Sequence, residues 1–205
     1  MKRKLSLLFI LFVSFGITVS FINSSAFDEL PLNAAIPQPD YKMKNVSGNE
    51  VCLNEAKTTK GLLVIFTCNT CPYVKLSETR IKDYSDYCLS NGLGCILINS
   101  NEAQRSEDDS FEKMSAYYAA QNLKCSYAVD VKSQLANAFG ATRTPQCFLF
   151  GAKGLVYKGA IDDNVKDPSA VKAAYLKDAL TAVVKGTAPA IQETKSIGCT
   201  IKRLE

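Results

Sequence analysis

Cys68-Asn69-Thr70-Cys71 sets two thiols at a C-x-x-C spacing, directly before Pro72. Residues at i and i+3 on the first turn of a helix lie on one side of it. Their Cβ atoms can then approach to the roughly 4 Å that a disulfide needs. A helix start also offers unpaired N–H groups and about half a positive charge, both of which favour a thiolate. The chemistry this permits is thiol–disulfide exchange. The spacing puts Cys68 outermost as the attacking sulfur. Cys71, one turn inward, would release the product by closing the Cys68–Cys71 bond. Pro72 fits just inside the helix, where its missing N–H costs little. The competing readings are half of a zinc site and a permanent bridge. Zinc needs a second pair or histidines, and the chain has eight Cys, no further C-x-x-C and no His. A permanent bridge across so short a loop gains little. Without His there is also no Ser-His-Asp triad and no Cys-His dyad, and no cofactor or metal is expected.

Thr144-Pro145 is the second candidate element, just before an apolar run starting at Cys147. A proline there belongs to a strand start or an edge. If its peptide bond is cis, nearby backbone groups can turn toward a substrate peptide. Arg143 beside it is read as an attractor for an anionic substrate or a support for thiolate at Cys68, with a plain surface arginine as the alternative. Cys88, Cys95 and Cys147 fall on inward faces and read as small hydrophobes. Cys52, Cys125 and Cys199 fall in loops or near ends. A Cys52–Cys199 or Cys125–Cys199 bridge is open, as is Cys199 acting from a flexible tail as an extra resolving thiol for Cys68. Asp162 and Asp163 read as a solvated turn.

The elements that must hold these residues follow from periodicity. Tyr41 to Val51 alternates around Ser47-Gly48-Asn49, a hairpin. Leu62 to Phe66 and Cys95 to Asn99 are continuous apolar runs, strands buried on both faces. Between them one helix runs from Pro72 to the Asn91-Gly92 stop, with Val74, Ile81, Tyr84 and Cys88 on its inner face. Asn101 to Asp109 is a polar loop, Phe111 to Gln121 a helix, and Tyr127 to Val129 a short strand. Asp130 caps a helix that Gly140 ends. Cys147–Phe150 and Leu155–Lys158 flank a turn at 151–154. Asp167 with Pro168 opens a last helix carrying Ala173, Leu176, Leu180 and Val183, closed by Gly186. The tail, 187–205, shows no strong pattern. Strands alternating with helices and closing on a hairpin indicate an α/β three-layer sandwich.

The chain has 205 residues, 47% hydrophobic and 21% charged, which suits one globular domain of 27–186 with a tail. Lys2, Arg3 and Lys4 precede the uncharged stretch Leu5–Ile22 and the small residues Ser24-Ser25-Ala26. Residues 1–26 are read as a signal peptide, with an uncleaved anchor as the alternative. Removing them leaves 21 basic against 20 acidic residues, a net of +1 in place of +4. So small an excess argues against nucleic acid as a main partner. The expected place is the periplasm or the exterior, or the periplasmic face of a membrane if the anchor stays. Disulfides persist in such compartments. The expected partners are protein or small-molecule disulfides and a thiol reductant, with a membrane only if the leader is retained.

The string Phe66-Thr67-Cys68-Asn69-Thr70-Cys71-Pro72-Tyr73-Val74-Lys75 resembles the peroxiredoxin-like redoxin branch of the thioredoxin superfamily, the alkyl hydroperoxide reductase/thiol-specific antioxidant group. Further matches are Ile98-Asn99-Ser100-Asn101, Ala141-Thr142-Arg143-Thr144-Pro145, Tyr157 to Asp163, and Ile197-Gly198-Cys199-Thr200-Ile201-Lys202. The resemblance spans about 30–203. It implies a thioredoxin fold, a three-layer α/β/α sandwich with a central mixed sheet and an N-terminal β-hairpin extension. It also implies dithiol redox activity and a cis Pro145 beside the cysteine pair. The chain departs from the family pattern in three ways. Thr70 stands where His is frequent between the cysteines. Leu62 stands where many thioredoxins have a buried acid. Ile65 and Cys68 stand three residues before Cys68 and Cys71, where a peroxidase has Thr. The sequence therefore favours an exported thiol–disulfide oxidoreductase over a thiol peroxidase, with a Cu(I)-binding chaperone third.

Overall fold

The computed structural model describes residues 28–204. The signal-peptide reading over 1–26 lies outside the described residues. Five strands form the central sheet in the order β5-β4-β3-β7-β8. They are β3 (Leu62–Thr67), β4 (Gly94–Asn99), β5 (Ser126–Val129), β7 (Gln146–Gly151) and β8 (Gly154–Gly159). β3, β4 and β5 run parallel, while β7 is antiparallel to both β3 and β8, so the sheet is mixed. β3 sits at its centre, and all six of its residues are buried, as a run without polar alternation requires. A separate hairpin pairs β1 (Met43–Lys44) with β2 (Glu50–Val51), and the short helix α1 (Leu53–Ala56) follows it.

Strand alternation divides the core into two layers. Leu63, Ile65, Cys95, Leu97, Tyr127, Cys147 and Leu149 face one side. There they meet α2 (Pro72–Lys75), α3 (Glu78–Ser90), α4 (Phe111–Ala120) and α6 (Tyr175–Val184) through Val74, Ile81, Met114, Leu176 and Leu180. Leu62, Val64, Phe66, Ile98 and Phe148 face the other side. They meet Leu135 and Phe139 of α5 (Gln134–Phe139), the hairpin, and the lead-in residues Leu30, Leu32 and Ile36. Phe139 stands edge-on to Phe66 and Phe148, with ring centroids 5.2 Å away in each case. This is the thioredoxin fold. Gly140 ends α5 at φ 62°, and a Cβ there would fall 2.2 Å from the Asp28 carbonyl, so the lead-in can close on the helix end.

Four details differ from the sequence expectations. The helix expected from Pro72 onward is two helices: α2 stops at Lys75, and α3 starts afresh at Glu78. Asp167 and Pro168 open a three-residue 3-10 turn (Pro168–Ala170), and α6 begins later, at Tyr175. The Leu176 amide binds the Ile161 carbonyl at 3.0 Å, so a tertiary contact sets that start. Asp162 is not solvated: it is buried and ion-paired with Arg80, while Asp163 is exposed and accepts the Lys172 amide at 3.0 Å. The tail is not loose. Strand β9 (Cys199–Thr200) pairs antiparallel with β6 (Arg143–Thr144), Thr144 opposite Cys199.

Candidate active site

Cys68 follows the last residue of β3, and Cys71 is the N-cap residue of α2 with Pro72 behind it at the first helical position. The central strand and a helix start thus fix the two sulfurs from opposite ends of a four-residue loop. The Thr144–Pro145 peptide is cis and lies against them. Thr144 Oγ1 is 3.4 Å from Cys68 Sγ, and the Thr144 carbonyl is 3.1 Å from Cys71 Sγ. Cys199 of β9 comes closer still, its sulfur 2.6 Å from Cys71 Sγ. All three are free thiols. The sequence placed Cys68 outermost, but Cys68 is 1% and Cys71 3% exposed, while Cys199 is half-buried above them.

The three sulfurs share protons unequally. Cys71 is pulled down to about 4, first because the Cys68 thiol hydrogen-bonds to it, then through the Cys199 thiol and the Val74 and Cys199 amides, against the cost of burial. No capping hydrogen bond of normal geometry forms from its side chain, so the amides act as nearby dipoles. The Thr144 carbonyl accepts from Cys71 when that sulfur is protonated and opposes its charge when it is not. The two thiol donors outweigh it. Cys68 is pushed up because it supplies the proton to Cys71 and because it is buried, with the Thr144 hydroxyl working the other way. Cys199 is raised to about 11, by burial first and by its contact with Cys71 second.

Beneath the loop lies a polar network that the sequence did not reveal. The Asp109 side chain is wholly buried. Its Oδ1 accepts the Asn69 amide at 2.9 Å and Asn99 Nδ2 at 2.8 Å, and its Oδ2 accepts Asn101 Nδ2 at 2.8 Å. Tyr127 donates its hydroxyl to Asn69 Oδ1 at 2.9 Å. The carboxylate therefore holds the backbone between the two cysteines from below. Sequence signals existed in the abrupt Asn99-Ser100-Asn101 ending of β4 and the acidic end of the loop, but neither says which carboxylate turns inward. Asp109→Ala would strand three buried donors, so a loss of about 3 kcal/mol or more in urea unfolding is expected. A loss under about 1 kcal/mol would mean water replaces the carboxylate.

A strand ending in C-x-x-C, a helix start, and a cis proline facing the pair are features shared by thioredoxin-fold proteins. A model of the AhpC/TSA family matches residues 35–158, more than half of the sequence and inclusive of both loops. The chain belongs to the AhpC/TSA family. Its structure is similar to that of a hypothetical protein from Sinorhizobium meliloti 1021, at 33% identity and TM-score 0.73, over 80% of this chain and 91% of that one. An uncharacterized conserved protein from Geobacillus kaustophilus is similar at 29% identity and TM-score 0.78, over 85% and 93%. A secreted Mycobacterium tuberculosis disulfide oxidoreductase shares the fold at TM-score 0.52 and 14% identity, over 71% and 95%. No curated protein matches the sequence.

The other sequence candidates fall into place around this AhpC/TSA core. Thr70 and Pro72 are exposed on the loop, and Pro145 is buried against it. Leu62 and Ile65 are buried in β3, as expected of a strand without an acid or a hydroxyl at those points. Arg143 does not point its charge at Cys68. Its guanidinium reaches Thr200 Oγ1 at 3.1 Å and the Gly198 carbonyl at 3.4 Å, so it clamps the tail. Cys199 meets Cys71 rather than Cys68, Cys52 or Cys125. Cys52 lies beside the Lys42 ammonium, and Cys125 beside Cys95 in the core.

Proposed function

We propose that the chain is a thiol–disulfide oxidoreductase in which Cys68 and Cys71 alternate between dithiol and disulfide. The observation that carries this reading is the Cys68–Cys71 pair between the end of β3 and the start of α2, with both sulfurs against Thr144 of the cis Thr144–Pro145 peptide. We place the attacking charge on Cys71, the reverse of the sequence expectation, because its sulfur sits at the start of α2 and touches the Cys199 sulfur. The Cys71 thiolate attacks one sulfur of a substrate disulfide, forming a mixed disulfide and releasing the other sulfur as a thiolate that takes a proton from solvent. Cys68 then gives up its proton and attacks Cys71. The Cys68–Cys71 bond forms, and the second substrate sulfur leaves as a thiol. Substrate loses a disulfide, the protein gains one, and a thiol reductant resets the pair. Both sulfurs are covered in this conformation, so substrate entry requires β9 to lift at Cys199.

Export through residues 1–26 into an oxidising compartment is part of the proposal, since stable disulfide substrates are found there. A peroxidase role ranks second, because Ile65 offers no hydroxyl to hold a peroxide. Turbidity from insulin reduction, driven by dithiothreitol, tests the first reading. Wild type is expected to accelerate it, and Cys68→Ser and Cys71→Ser to fall to the background rate. A wild type indistinguishable from dithiothreitol alone, but rapid in consuming peroxide, would replace the proposal with the second reading.

A further inference from the structure

Strand β6 ends at the cis proline, and its edge is where an extended peptide would add to the site by strand addition. The chain's own residues 198–200 occupy that edge. They are fixed on both sides. Upstream, Thr194 Oγ1 meets the Tyr157 hydroxyl at 2.9 Å and the Ala160 amide at 2.9 Å. Downstream, the Ile201 amide binds the Thr142 carbonyl at 3.0 Å, the Ile201 side chain is 3% exposed, and the Lys202 amide binds Asn101 Oδ1 at 2.9 Å. Between these anchors Gly198 passes over Thr144 so closely that a Cβ would fall 2.2 Å from its carbonyl oxygen. The next residue is Cys199, whose sulfur lies 2.6 Å from Cys71 Sγ. An extended Gly-Cys segment thus lies paired with Thr144, sulfur against the reactive sulfur, as a bound substrate cysteine would.

We propose that residues 198–200 are a tethered pseudo-substrate: Cys199 exchanges into the Cys68–Cys71 disulfide, and the Cys71–Cys199 bond closes the site. The inference rests on the dithiol reading above. In the exchange Cys199 loses its proton to solvent and its sulfur attacks Cys71 Sγ. The Cys71–Cys199 bond forms as the Cys68–Cys71 bond breaks, and Cys68 leaves as a thiolate that takes up a proton. One disulfide and one thiol are present before and after, so no oxidant is consumed. Cys71 is the shared sulfur of two alternative bonds: one leaves β9 free to lift, the other ties it over β6.

The test is disulfide mapping by mass spectrometry after equilibration in glutathione/glutathione disulfide buffer and blocking of free thiols. Glutathione disulfide is the oxidant, each protein disulfide formed yielding two glutathione molecules. Wild type, which needs no assumption about variant folding, is expected to show both Cys68–Cys71 and Cys71–Cys199 peptides, the minor one at no less than about a tenth of the major. Cys68→Ser is expected to show Cys71–Cys199, and Cys199→Ser to show Cys68–Cys71. Gly198→Ala is expected to cut the Cys71–Cys199 peptide at least ~10-fold while Cys68–Cys71 persists, because its Cβ pushes β9 off Thr144. In the same buffer Cys199→Ser is expected to reduce insulin about 3-fold or more faster than wild type, since its site cannot be tied shut. Absence of Cys71–Cys199 from wild type and from Cys68→Ser, with Cys68–Cys71 formed in Cys199→Ser, would overturn the tail proposal and leave the dithiol reading standing. An insulin rate unchanged or lower in Cys199→Ser would overturn closure. Failure of Cys199→Ser to form Cys68–Cys71 would instead overturn the dithiol reading.

Discussion

Iodoacetamide is expected to label Cys71 of the reduced protein at a nearly constant rate from pH 8 down to about pH 5, and Cys68 hardly at all. The rate should then fall about tenfold per pH unit below pH 4, where Cys71 takes up its proton. At pH 6 an ordinary thiol is about 0.1% thiolate, while a sulfur titrating near 4 is almost fully ionised, a gain of ~1000-fold. Nucleophilicity falls as pKa falls, with a Brønsted slope of about 0.4–0.5, which removes roughly 200-fold of that gain. The net advantage is therefore absent at pH 7, about 5-fold at pH 6 and larger below it, so a flat profile rather than a high rate is the signature. The same charge assignment makes Cys71→Ser unable to begin exchange, with a loss of at least ~1000-fold in insulin turnover. Cys68→Ser should begin exchange and end as the Cys71–Cys199 disulfide, so that a mixed disulfide on Cys71 accumulates only when Cys68→Ser is combined with Cys199→Ser. A mixed disulfide trapped on Cys68 in Cys71→Ser would exchange the two roles. An alkylation rate that falls tenfold per unit from pH 8 downward would remove the lowered thiolate altogether.

The reduced protein is expected to melt above the oxidised protein at pH 7 and below it at pH 4. The folded Cys71 titrates near 4 and the unfolded residue near 9, so its ionisation favours the folded reduced form increasingly as pH rises from 4 to 9 and is lost as pH falls through 4. Cys68 and Cys199 are shifted the other way. Their contribution is in place below 9 and is lost above it, so the advantage flattens and then declines beyond pH 9. The oxidised form carries no titration at Cys68 or Cys71. It gains instead about 2 kcal/mol from closing a four-residue loop, independent of pH. At pH 4 most of the Cys71 contribution is gone, so the loop term prevails and the disulfide form is the more stable. Scanning calorimetry of both forms from pH 4 to 8 checks the crossing, and parallel melting curves would contradict it. A stabilised dithiol also makes its disulfide a stronger oxidant, which places the potential above the −270 mV or so of a reducing thioredoxin.

The pair, the proline and the sandwich were legible because each is announced locally. An apolar run ending in Cys68, a Pro at Cys71+1 and a helical stripe through Val74, Ile81 and Cys88 are short-range signals, and the residues are buried where the pattern puts them. The break at Ser77 was not legible, since neither Gly nor Pro marks it. Asp167-Pro168 is a good helix-start signal, yet the contact of Leu176 with Ile161 overrides it. Asp109 was missed, and Cys199 was aimed at Cys68 instead of Cys71, for another reason. Asp109 acts on Asn69 and Cys199 on Cys71 across large sequence separations, through single hydrogen bonds and a two-residue strand that carry no periodicity. The tail binds chiefly through backbone groups and one buried side chain, Ile201, so composition gives no hint of where it lies.

The most direct measurement is a redox titration of the wild-type protein in glutathione buffers at pH 7, with each cysteine's oxidation state read by alkylation and mass spectrometry. Cys71 is expected to pass reversibly between thiol and disulfide in one two-electron transition, bonded to Cys68 or Cys199, with a midpoint of about −220 to −120 mV. Cys52, Cys88 and Cys147 should stay reduced throughout. A Cys71 that remains a thiol across the whole range, or oxidation confined to cysteines outside the site, would contradict a dithiol redox function for this chain.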